Sequence, residues 1–125
     1  MKYMLLVHHD EQAFGQRSQA ERQQMIQESV ALANQLDASG NYLSAAPLHQ
    51  TSETNCVRVR EGKRLVTDGP FAETREQLGG YFLIDARDLD EAIDIAGRIP
   101  GARLGTVEVR PVREVEGLPA DRRPR

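Results

Sequence analysis

One carboxylate stands out in the stretch Thr67 to Asp85, Thr-Asp-Gly-Pro-Phe-Ala-Glu-Thr-Arg-Glu-Gln-Leu-Gly-Gly-Tyr-Phe-Leu-Ile-Asp. Asp68 opens a turn tripeptide ahead of a long, chemically mixed connector. A carboxylate at a strand end that faces a partly dry cavity has its pKa raised and can exchange protons with a substrate. Turn chemistry alone also accounts for the triplet, because Asp caps its local backbone, Gly accepts positive φ and Pro fixes the exit. Acid/base work therefore requires Asp68 to lie in a cavity within reach of an imidazole. Two imidazoles end the first apolar run, in His8-His9-Asp10-Glu11. Successive strand residues point to opposite faces, so His8 and His9 enter one cavity together only if the strand stops between them. Either could pair with Asp68 or Asp10 as a dyad in which the acid orients the ring.

The remaining polar groups carry weaker signals. Arg75 offers a guanidinium to an anionic ligand if the connector folds over a cavity, and Tyr81 is taken with it as a ligand-binding candidate. Gly79-Gly80 fits a bulge or a close backbone approach better than a phosphate loop, since no helix starts directly after it. Cys56 has no nearby base in sequence and reads as a packing residue. Glu108 and Arg110 share one face of the last strand. His8, His9, Asp10 and a distant His49 match no metal-ligand spacing, so no metal and no other cofactor is expected.

Composition narrows the class. The chain has 125 residues, 39% apolar, with no Trp, and its formal charge is −3. That length suits one domain with an aliphatic core. Mild acidity argues against a nucleic-acid surface. No run approaches the ~20 apolar residues of a membrane span. The apolar run Tyr3–Val7 is too short for a secretory core. A single cysteine, Cys56, excludes an intramolecular disulfide and fits a reducing cytoplasm.

These groups must be positioned by a small set of elements. Residues 2–9 read as a strand, apolar on both faces. Residues 10–17 are polar, hold Gly15 and read as a loop. Ser18 with Glu21 makes a capping box, followed by Arg22, Ile26, Val30, Ala33 and Leu36 at helical spacing, flanked by Met25 and Leu32, up to Ser39-Gly40. Tyr42–His49 reads as a strand broken at Pro47. Residues 55–60 and 64–67 form a hairpin about Glu61-Gly62-Lys63. Tyr81–Asp85 is a further strand. A second capping box, Asp88 with Glu91, starts a helix with the stripe Leu89, Ala92, Ile93 and Ala96, which Pro100-Gly101 ends. Gly105–Val112 alternates as a last strand. The tail 113–125 holds seven charges and reads as a loose end or a dimer arm. Without the hairpin the order is β-α-β-β-α-β, the ferredoxin-like α+β order. Helices on one face leave the second apolar sheet face bare, and a homodimer is the economical cover.

Four segments together resemble the YCII-related proteins of the DGPF-domain subgroup: Met1-Lys2-Tyr3-Met4-Leu5-Leu6, Val57–Lys63, the long run Val66–Phe82 and Gly105–Val112. The likeness spans residues 1 to about 112 as one domain. It implies a ferredoxin-like fold that pairs into a dimeric α+β barrel. Some relatives in the wider group act on small ring compounds with a His–Asp pair, and Asp68 matches the aspartate of the family's Asp-Gly-Pro motif. Their histidine lies in the first-helix region, whereas this chain has none between residues 10 and 48. The resemblance thus implies a small-molecule-binding protein, as a cofactor-independent acid/base enzyme of isomerase or lyase type on a polar or aromatic compound. Asp68 would act with His8 or His9. The alternative is a non-catalytic sensor or interaction module in an alternative sigma factor context. The homodimer makes a direct prediction. At micromolar concentration the protein should sediment at twice its 14.0 kDa chain mass, and a strictly monomeric species would contradict it.

Overall fold

The structure, a computed structural model, describes residues 1–121. Strand β1 (Lys2–His9) leads into a short helix α1 (Glu11–Gly15) and a long helix α2 (Gln19–Ala38). Strand β2 (Tyr42–Pro47) follows, then a 3₁₀ turn (Thr51–Glu53) and the hairpin strands β3 (Asn55–Arg60) and β4 (Lys63–Asp68). Strand β5 (Gln77–Asp85), helix α3 (Leu89–Arg98), a 3₁₀ turn (Pro100–Arg103) and β6 (Thr106–Pro111) complete the order. One antiparallel sheet runs β2-β5-β1-β6, and β3-β4 form a separate two-stranded ribbon. This is the β-α-β-β-α-β order with an inserted ribbon, an α+β architecture consistent with a ferredoxin-like fold.

The core lies between one sheet face and the two longer helices. Tyr3, Leu5, Phe82 and Ile84 from the sheet meet Leu32 and Leu36 of α2 and Ala92, Ile95 and Ala96 of α3, with Ile99 just beyond. The opposite sheet face presents Met4, Leu6, Tyr81 and Leu83, and none of them is fully buried. Strand β1 is thus apolar on both sides while only one side is covered.

Four local expectations are corrected. Residues 11–15 form α1 rather than a loop, because the Asp10 carboxylate accepts from Gln12 N at 3.0 Å and Ala13 N at 3.2 Å and so supplies an N-cap. Strand β5 begins at Gln77, four residues before the apolar run, because Gln77 and Leu78 pair with His9 and His8. The buried side of α2 follows Met25, Ser29, Leu32 and Leu36, and Ile26 and Val30 face outward. Ser29 hides this face from a hydropathy pattern. Its hydroxyl donates to Met25 O at 2.9 Å and needs no water. In α3, likewise, Ala92, Ile95 and Ala96 are buried while Leu89 and Ile93 remain half exposed.

The ribbon turns through Glu61 and Gly62, both with positive φ, as a two-residue type I′ hairpin turn requires. After β6, Val112 N donates to Lys2 O at 2.9 Å, and Lys2 Nζ reaches Asp121 at 2.6 Å. The tail reading for 113–125 falls partly on residues 122–125, outside the described residues. No helix among the described residues is long and apolar enough to cross a membrane.

Burial decides which helix residues matter. Leu36→Ala should lower unfolding stability by about 2–5 kcal/mol. Ile26→Ala should change it by less than about 0.5 kcal/mol. Urea unfolding of the two variants checks the assignment of the buried face, and equal losses would contradict it.

Candidate functional site

A cleft of about 440 Å³ opens where the ribbon leaves the body. Leu48, Phe71 and Leu78 give it apolar walls, and Thr51, Thr74 and Gln77 add polar groups. The stretch after β2 and the connector running into the start of β5 form most of it, with Cys56 of β3. Hydrogen bonds tie both to the sheet. Leu48 N donates to Gly79 O at 2.9 Å. The Glu11 carboxylate accepts from Thr51 N at 2.9 Å and Thr51 Oγ1 at 2.7 Å. The Gln77 side chain accepts from Glu11 N at 3.0 Å and donates to Thr74 O. Glu11 and Gln77 thus brace one wall against the other. His49 and Glu53 stand at the rim with a 3.3 Å contact.

The connector starts from the Asp-Gly-Pro turn. Gly69 N donates to Thr54 O at 2.7 Å, and Cys56 Sγ donates to Gly69 O at 3.2 Å, so the turn is fastened to the start of β3. Pro70 and Phe71 line the cleft, and Asp68 does not. Asp68 is exposed and accepts from Asn55 Nδ2 at 2.8 Å across the base of the ribbon. Arg75 is exposed, outside the cleft lining, and makes no ion pair among the described residues.

The two histidines separate as strand alternation requires. His8 points to the open sheet face, where its Nε2 lies 3.1 Å from Glu108 Oε1. Strand register explains the partner: His8 sits opposite Thr106, two residues before Glu108 on the same face. Thr106 Oγ1 donates to Glu76 at 3.0 Å, which brings a second carboxylate to that end of the face. Tyr81 lies on this face too, its hydroxyl 3.2 Å from Ser44 Oγ. His8 is therefore paired with Glu108; neither Asp68 nor Asp10 bonds an imidazole, and Asp10 is occupied as the cap of α1. Among the described residues no three His, Cys, Asp or Glu side chains converge as a metal site would need.

His9 takes the opposite side and rests against Phe14, ring centroids 5.0 Å apart. Its ring also lies over Gly79, the extra residue of a β-bulge opposite Val7 and His8. A Cβ at Gly79 would stand 2.2 Å from His9 Cε1, so only glycine leaves room for the imidazole. Sequence reasoning named both histidines but missed Glu11, Gln77 and Glu108 as partners. Their contacts join residues far apart in the chain, and only the strand register reveals them. Gly79→Ala should swing His9 off Phe14 and cost about 1–3 kcal/mol. The His9 ring resonances should move by NMR while those of His8 stay; unmoved His9 signals would contradict the packing.

Comparison with known proteins places this geometry in context. The YCII-related domain model matches residues 1–116. An uncharacterized protein of Rhizobium meliloti (strain 1021) is 36% identical over 114 residues, covering 90% of this chain and 92% of that protein. Among solved structures, 5-chloro-2-hydroxyhydroquinone dehydrochlorinase (TftG) from Burkholderia phenoliruptrix AC1100, in complex with 2,5-dihydroxybenzoquinone, shares the fold. Its TM-score is 0.56 at 12% identity, over 93% of this chain and 97% of that one. On the family match and the close relative together, the chain belongs to the YCII-related domain family.

Proposed function

We propose that this protein binds a small polar or aromatic ring compound in the cleft beneath the connector. In this reading it belongs to the DGPF subgroup of its family and works as a cytoplasmic homodimer. The cleft carries the proposal. Its volume of about 440 Å³ lies within the roughly 300–1,000 Å³ range of small-molecule pockets, and it sets apolar walls beside a few fixed polar groups. Phe71, 80% exposed, offers a ring face to a planar ligand. The quinone complex of a protein with the same fold supports the ligand class. The uncovered sheet face of Met4, Leu6, Tyr81 and Leu83 supports the homodimer.

A second reading, cofactor-independent acid/base chemistry, rests on the 3.1 Å His8–Glu108 pair. The carboxylate orients the ring, so His8 can take a proton from a substrate on the sheet face and return it elsewhere. His9, confined by Gly79 and Phe14, has a smaller part in this reading. Asp68 joins it only where a second copy covers the ribbon base.

Calorimetric titration with 2,5-dihydroxybenzoquinone as the probe separates the two readings. Cleft binding predicts at least tenfold weaker affinity for Phe71→Ala and unchanged affinity for Asp68→Asn and His8→Gln. Loss of binding in His8→Gln with no effect of Phe71→Ala would move the site to the sheet face. No heat at millimolar probe would remove this ligand class.

A further inference from the structure

We infer that Glu11 sets the hydrogen-bond polarity of the cleft, so that it selects uncharged rings bearing O–H or N–H donors over ethers and carboxylates. The inference rests on the cleft reading above and names the form of ring that the cleft takes. The Glu11 carboxylate accepts from Thr51 N at 2.9 Å and from Thr51 Oγ1 at 2.7 Å. A carboxylate only accepts, so the Thr51 hydroxyl proton is committed to it and the oxygen keeps only lone pairs for a ligand. Hydrogen bonds to a charged partner are strong, and each bond in a chain polarises the next, which makes that oxygen a better acceptor. Thr74 is set the same way, because its Oγ1 donates to Glu76 O at 2.6 Å. Cys56 Sγ donates to Gly69 O at 3.2 Å. The side-chain protons of these three lining residues are thus committed within the protein.

Charge acts in the same direction. Among the described residues, the lining holds Glu53 as its one carboxylate and no Lys or Arg. Arg75, although next to Thr74 in the chain, lies outside the lining. Glu11 adds a second negative charge behind Thr51. An anion that enters between these apolar walls loses water and gains no Lys or Arg partner. At the rim, His49 Nδ1 faces Glu53 at 3.3 Å; when it donates there, Nε2 of the neutral ring is a bare acceptor. Gln50, Thr54 and Gln77 keep groups of both kinds and do not discriminate. A phenol O–H therefore finds acceptors whose own protons are engaged elsewhere, whereas an ether oxygen or a carboxylate meets their lone pairs. A site arranged for an O–H rejects the analogue that lacks it, because its polar groups are then left unpaired. For 2,5-dihydroxybenzoquinone, a vinylogous acid, the uncharged form is the better ligand.

Calorimetric titration of the full chain with two matched pairs of probes tests this. Para-cresol should bind at least tenfold more tightly than para-methylanisole, and para-hydroxybenzamide at least tenfold more tightly than para-hydroxybenzoate. Glu11→Gln keeps the shape of the brace. Its amide oxygen accepts from Thr51 N while its nitrogen donates to Thr51 Oγ1, which frees the hydroxyl proton for the cleft. That variant, at wild-type circular dichroism, should bring the cresol-to-methylanisole ratio below about threefold. Thr51→Val removes the acceptor without touching Glu11; it should do the same, and it decides the matter where Glu11→Gln does not fold. Phe71→Ala should weaken para-cresol at least tenfold. Equal affinities within both pairs, lost together in Phe71→Ala, overturn donor selection and leave the cleft reading standing. An unaltered ratio in Glu11→Gln and in Thr51→Val overturns Glu11 as the source of selection. Binding by none of the four probes at millimolar concentration overturns both readings.

Discussion

A single extra residue in β5 decides where the connector leaves the sheet. Between the Val7–Gly80 and His8–Leu78 pairs, Gly79 is inserted without a partner on β1. The bulge puts Gly79 O in place to accept from Leu48, which fixes the segment after β2. It puts Gln77 beside His9, from where its amide reaches both the start of α1 and the connector at Thr74. Glu11, positioned by the Asp10 cap, then holds Thr51. The cleft is therefore not an accident of two loops lying close. Its walls are bonded to the sheet and to each other, and preorganisation of this kind reduces the ordering a ligand must impose.

The fold order was legible because it rests on local signals. Both helix N-caps, the strand alternation and the hairpin turn are patterns within a few residues, and each appears where it was expected. What failed were judgements about which face is buried. Ile26 and Val30 are more apolar than Ser29, yet Ser29 lies on the inner side with Leu32 and Leu36, where Met25 O satisfies its hydroxyl. Leu89 and Ile93 complete a good amphipathic stripe in α3 and still face outward, since a four-stranded sheet covers only Ala92, Ile95 and Ala96.

The candidate site was legible in its residue types and not in its pairings. His8 and an acid partner were foreseen, but the partner is Glu108, 100 residues away, chosen by the β1-β6 register. Asp68 drew notice because Asp-Gly-Pro is a conspicuous string. It ends β4 and closes the ribbon on Asn55, while the less conspicuous Pro70 and Phe71 line the cleft. Glu11 looked like part of a polar strand end; only its bond to Thr51 shows that it braces the cleft. Long-range hydrogen bonds leave no mark on a pattern of local spacing, and this site is built from them.

The central claim is that the braced cleft, and not the sheet face, is where a ligand binds. Backbone amide chemical shifts, followed while 2,5-dihydroxybenzoquinone is added to isotope-labelled protein, test it most directly. The account predicts saturable shifts at Leu48, Gln50, Thr51, Thr54, Phe71, Thr74 and Leu78, with His8, Glu108 and Arg110 unmoved. Shifts centred on His8, Leu6 and Glu108, with the cleft residues still, would contradict it.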